Sequence, residues 1–166
     1  MEEMKMKRLL ATAAVLAVIV LPCIAAQSGA KSAGGREAAV AEKWIAAWNS
    51  HDPDKMLAAF TSDVFYEDVA FGEVSHGSAE FRRFAADEFA AVPDLKVELV
   101  RAAVSNGHGT IEWTFSGTDK DIYKTGKKFS VRGVSVIEVR DGKIARSLDY
   151  YDAATIMRQV GVLPKQ

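Results

Sequence analysis

Hydrophobic and polar positions alternate along this chain in three different rhythms. An apolar run from Leu9 to Val20 comes first. Helical spacing follows: Val40, Trp44, Ala47 and Trp48 predict a first helix ending around Asn49-Ser50-His51. Asp52 is a good N-cap and Pro53 suits a first helical position, so a short second helix follows, with Met56, Leu57 and Phe60 on its buried side. Thr61 to Asp63 is expected to turn, and Val64 to Val69 alternates as a strand does. Gly72 and His76-Gly77-Ser78 bound a loop, and Ser78 caps a third helix whose apolar stripe is Phe81, Phe84, Ala85 and Phe89. Pro93-Asp94 ends it.

From there the period is two. Leu95 to Val104 and Gly109 to Phe115 flank Asn106-Gly107, a hairpin signal because both central residues of that turn need positive φ. A polar loop from Gly117 to Gly126 precedes a second pair, Lys127 to Val139 and Ile144 to Tyr151, around Asp141-Gly142. A last helix spans Ala153 to Val160 and stops at Gly161 and Pro164. Helices first and antiparallel strands second define an α+β fold. The long strands predict a curved antiparallel sheet that curls around the first and third helices, with a cavity open at one end.

The apolar run is not part of that domain. Lys5, Lys7 and Arg8 precede it and Leu21-Pro22-Cys23-Ile24-Ala25-Ala26 closes it, the three regions of a secretory signal. Residues 1–26 are therefore read as a signal peptide cleaved near Ala26-Gln27, residues 27–36 as a flexible Ser/Gly/Ala/Lys tether, and residues 37–166 as the domain. The alternatives are an uncleaved anchor and a lipidated Cys23, the latter disfavoured by Pro22 before it. Cleavage implies an exported protein, periplasmic or secreted, with no membrane attachment and no cysteine. With 21 Lys+Arg against 22 Asp+Glu in 166 residues, net charge gives no reason to expect nucleic acid as a partner.

The element order resembles the nuclear transport factor 2-like superfamily. The carrying residues are Trp44…Trp48-Asn49-Ser50-His51-Asp52-Pro53-Asp54, Phe60 through Glu67-Asp68, Gly77-Ser78-Ala79-Glu80-Phe81, and Arg140-Asp141-Gly142-Lys143-Ile144 through Asp149-Tyr150-Tyr151-Asp152. Within it the chain is most similar to the SnoaL-like and ketosteroid-isomerase-like branches, over Glu37 to Pro164. The resemblance implies a cone-shaped sheet wrapped around the N-terminal helices and a homodimer formed through the open sheet face. It also implies a cavity for a small apolar or carbonyl-containing molecule. The fold serves isomerases, cyclases, dehydratases and epoxide hydrolases as well as binding or assembly modules.

By that resemblance Asp68 falls on the general-base position of ketosteroid isomerases. Trp44 falls where those enzymes carry a donor Tyr, and Arg132 at or near the place of a neutral Asp. Asp119 stands where SnoaL-type cyclases have a His, and is expected in a solvated loop with Lys120 and Asp121. Ser147, Asp149 and Tyr151 share the strand face that lines the cavity. The candidate catalytic set is therefore Asp68, Arg132 and Asp149; Arg132 either orients Asp149 or a substrate, or closes the cone as a structural salt bridge. Trp44, Trp48, Tyr66, His76, Phe84, Trp113 and Tyr151 are the candidate substrate contacts, with His76 at the cavity mouth. Histidines at 51, 76 and 108 lack metal spacing, and no phosphate loop or nucleophile motif is present, so no metal or cofactor is implied.

Overall fold

The computed structural model describes residues 39–164; the signal, the tether and both ends of the assigned domain lie outside them. Helix α1 occupies 39–48, and α2 is Pro53–Ala58, started by Asp52, whose carboxylate accepts the N–H groups of Asp54 and Lys55. Strand β1 (Phe60–Asp68), strand β2 (Glu73–His76) and helix α3 (Gly77–Ala91) come next. A meander of β3 (Lys96–Ser105), β4 (His108–Thr118), β5 (Lys128–Arg140) and β6 (Lys143–Tyr151) follows, then helix α4 (Ala153–Val160), closed by Gly161 in the left-handed region. Asn106-Gly107 and Asp141-Gly142 all have positive φ, as two-residue hairpin turns require.

One six-stranded sheet results, in the order β2-β1-β6-β5-β4-β3. Its strands are antiparallel except for β1 beside β6, a parallel pair between the first and last strands of the described residues. This pairing brings distant segments together, setting Tyr66 opposite Ser147 and Asp68 opposite Asp149. A register shift opposite Glu138/Val139 lets both Ile144 and Ser147 of β6 face inward although they are three positions apart.

The core lies between the sheet's concave face and helices α1 and α3. Trp44, Met56, Phe60, Phe81, Ile111 and Ile137 are at most 1% exposed. At about 25 cal/mol per Å², aromatic side chains of this size dominate the hydrophobic stabilisation.

Several local expectations are corrected. Phe60 does not sit in α2; it opens β1 against Ile144, and Thr61 to Asp63 belong to that strand where its register breaks before Phe65. The loop before α3 contains β2, paired with β1 from Phe65↔His76 to Asp68↔Glu73. Ser78 does not cap α3. The helix starts one residue earlier, the Glu80 carboxylate accepts the His76 N–H at 2.7 Å, and the Ser78 hydroxyl donates to the Ser62 carbonyl. Asp119 is not solvated either: it is fully buried and accepts from the Tyr123 and Thr125 N–H groups and the Thr125 hydroxyl. It thereby shapes the loop after β4 that carries Ile122 and Tyr123.

Candidate active site

Inside the cone, α1 supplies Trp44 and Trp48, α3 supplies Phe84 and Glu88, β4 supplies Trp113 and Phe115, and β1 and β6 supply Tyr66, Asp68, Asp149 and Tyr151. Together with Leu95 and Val97 they enclose a chamber in which a water molecule's centre has about 40 Å³ to move. It communicates with a wider mouth of about 610 Å³ on the same measure, and Asp68, Phe84 and Glu88 line both. Rings meet at varied angles, Trp44 stacked on Trp113 at 6.1 Å and edge-on to Trp48 at 6.0 Å, so the wall is a rigid aromatic box. Trp113 lies over Gly133, its partner on β5, where any Cβ would stand 2.2 Å from the ring.

Two carboxyl groups sit on the strand wall. Asp68 is 5% exposed; its Oδ1 accepts the N–H groups of Ala70 and Phe71, holding the β1–β2 turn, and its Oδ2 accepts the Tyr151 hydroxyl at 2.7 Å. Burial raises its pKa above the usual carboxylate value against the pull of those three donors. Asp149, 4% exposed, accepts the hydroxyls of Tyr66 at 2.8 Å and Ser147 at 3.0 Å. Ser135, opposite it on β5, accepts the Trp113 indole N–H at 2.9 Å, and its hydroxyl favours the charged form of Asp149. Burial nevertheless pushes Asp149 up to about 6. Both phenols are raised, chiefly by burial and further by these acids, and so stay protonated donors.

Glu88 is the residue sequence reasoning missed. Half-buried on α3, it is pushed to about 7 by burial and by the charges of Asp68, Glu73 and Asp87. The signal was present, since Glu88 lies four residues after Phe84 and seven after Phe81, a charge set on the apolar stripe. Ser135 was missed too, although it alternates with Phe129, Val131 and Ile137.

Of the expected residues, the structure brings together Asp68, Asp149, Trp44, Trp48, Tyr66, Phe84, Trp113 and Tyr151. Arg132 is excluded from the chamber. It is exposed on the outer face of β5 beside Arg101, Glu112 and Tyr150, so it neither pairs with Asp149 nor reaches the interior. His76 is also misplaced: it is exposed at the start of α3 with its ring 5.2 Å from Phe65, outside the chamber and its mouth. Two buried donors are left unpaired. The indole N–H groups of Trp44 and Trp48, 1% and 6% exposed, have no hydrogen-bond partner among the described residues. Buried donors of this kind cost free energy until an acceptor arrives.

A curved α+β cone with an acid-bearing aromatic chamber between sheet and helices defines a nuclear transport factor 2-like domain of the ketosteroid-isomerase-like architecture. The chain belongs to the SnoaL-like domain family, whose description matches residues 41–147. It is similar to the cyclase aurE of Calcarisporium arbuscula, 32% identical over 111 residues that cover 66% of this chain and 82% of that protein. Among solved structures it resembles a Catenulispora acidiphila protein with a ketosteroid isomerase-like fold, in complex with trimethylamine. That similarity has 25% identity and a TM-score of 0.68, covering 74% of this chain and 92% of that one. TsrD from Streptomyces laurentii gives the same identity and TM-score, covering 78% and 97%.

Proposed function

We propose that this chain is an isomerase- or cyclase-type enzyme that moves a proton on a small carbonyl compound, with Asp68 as the base. The observation that carries the reading is one chamber holding a carboxyl of raised basicity and two buried indole N–H groups without partners. Asp68 Oδ2 takes the proton: the substrate's C–H bond breaks, an O–H bond forms on the carboxylate, and the electron pair moves onto the carbonyl oxygen. The N–H groups of Trp44 and Trp48 are the donors available to that oxygen, in a site where water is scarce and such bonds are strong. Returning the proton to another carbon, or closing a new carbon–carbon bond, completes an isomerisation or cyclisation. Asp149, held by the hydroxyls of Tyr66 and Ser147, positions the strand wall.

The similarity to a cyclase supports a reaction of this kind, and a relative that holds a small amine supports a small-molecule ligand. Export through residues 1–26 belongs to the same proposal. So does self-association through the outer sheet face, where Val136 and Tyr150 are exposed. The test is deuterium uptake. Steroid enones, hydroxyketones and polyketide-like aromatic ketones that raise the thermal midpoint are incubated with the protein in heavy water. Protein-dependent exchange at a carbon beside the carbonyl supports the reading; binding without exchange in every case makes the chain a binding module.

A further inference from the structure

The ionisable groups on the chamber wall are acids and phenols: Asp68, Glu88 and Asp149, with Tyr66 and Tyr151. Among the described residues no lysine, arginine or histidine lines it, and at the mouth Glu73, Glu80 and Asp87 outnumber Arg83. Carboxylates buried without a counter-ion are costly to keep charged, so they either take up a proton or pair with a cation that a ligand brings. The remaining wall is mostly aromatic, and ring faces attract cations as well.

We propose that the chamber takes a small alkylated ammonium group, carried by a molecule with an oxygen acceptor close to that cation. The inference rests on the chamber being the ligand site of the reading above, and names its substrate class. Asp68 and Asp149 already accept hydrogen bonds from two backbone amides, two phenols and one serine. What they lack is charge compensation rather than further N–H donors, which is what an alkylated ammonium supplies. The partnerless indole N–H groups ask for the oxygen. Size agrees: the chamber, were it round, would admit a head of about 3.5 Å radius once a water molecule's own radius is added, the dimension of a methylated ammonium. An ammonium beside the reacting carbon would also stabilise the negative charge left when Asp68 takes the proton.

The experiment titrates the full chain with choline and with 3,3-dimethylbutan-1-ol, an uncharged molecule of the same shape, by tryptophan fluorescence and calorimetry. Choline should bind at least tenfold more tightly, and Glu88→Gln should weaken choline severalfold while leaving the alcohol unchanged. Equal affinity, tighter binding of the alcohol, or no choline binding overturns the inference. A choline preference kept in full by both Glu88→Gln and Asp68→Asn places the cation elsewhere and overturns it too. Exchange into neutral ketones without a choline preference defeats this inference and spares the proton-transfer reading; a choline preference without exchange into any ketone does the reverse.

Discussion

Asp68 and Asp149 stand in register on neighbouring parallel strands, and each is served by the tyrosine of the other's strand. Tyr66 on β1 donates to Asp149 on β6, and Tyr151 on β6 donates to Asp68 on β1. The crossed pairs tie together the only parallel strand pair of the sheet among the described residues. They also keep two acids side by side in a space that favours one negative charge over two. Asp149 feels this directly, since the charge of Asp68 helps to raise it.

Glu88 gives the account a pH dependence. Its ordinary value of 4.5 rises to about 7 in the folded chain, so the folded state holds a proton that the unfolded state releases between those values. The stability this group allows is full below its unfolded pKa and is lost as pH rises towards about 7. Glu88→Gln should therefore match the native chain at about pH 4 and exceed it by on the order of 3 kcal/mol at about pH 8. Urea unfolding at both pH values checks this; an equal difference at both would show that Glu88 is not protonated by folding.

Gly133 is predicted to be intolerant of a side chain. A Cβ there would meet the Trp113 ring at 2.2 to 2.6 Å, and that ring is held by its bond to Ser135 and its stack on Trp44. Gly133→Ala should cost about 1–3 kcal/mol through overpacking and shift the tryptophan fluorescence. An unchanged spectrum and midpoint would mean that Trp113 is not seated on Gly133.

Arg132→Ala should do little, because the side chain is exposed on the outer face. The expected change in stability is within about 0.5 kcal/mol, with ligand binding unaltered. Loss of binding in this variant would restore Arg132 to the site.

Residues 1–26 supply a prediction outside the described fold. Expressed with its leader in an exporting bacterial host, the protein should be recovered outside the cytoplasm with Gln27 as its first residue. An N-terminus still at Met1 in the membrane fraction would favour the anchor, and a lipid-modified Cys23 the lipoprotein.

The sequence was most informative where the determinants are local. Asp52-Pro53, Asn106-Gly107 and Asp141-Gly142 are caps and turns set by a few adjacent residues, and they fall where expected. Strand β2 and the pairing of β1 with β6 depend on contacts across the whole chain, which periodicity does not encode. Asp68 and Asp149 were legible through alternation and family likeness. Arg132, placed by family likeness, lies on the outer face with Lys128 and Ser130, because Phe129, Val131 and Ile137 alternate inward along β5. Glu88 is less legible, because an acid on an amphipathic helix ordinarily faces solvent.

The central claim is that Asp68 is the base, and the exchange rate of the Asp68→Asn variant tests it most directly. The amide keeps an oxygen for the Ala70 and Phe71 N–H groups and so preserves the turn. With a ketone that the native chain deuterates, the variant should bind at similar affinity and lose exchange by 100-fold or more, the order expected for removing a proton-transfer group. Exchange at the native rate would contradict the account.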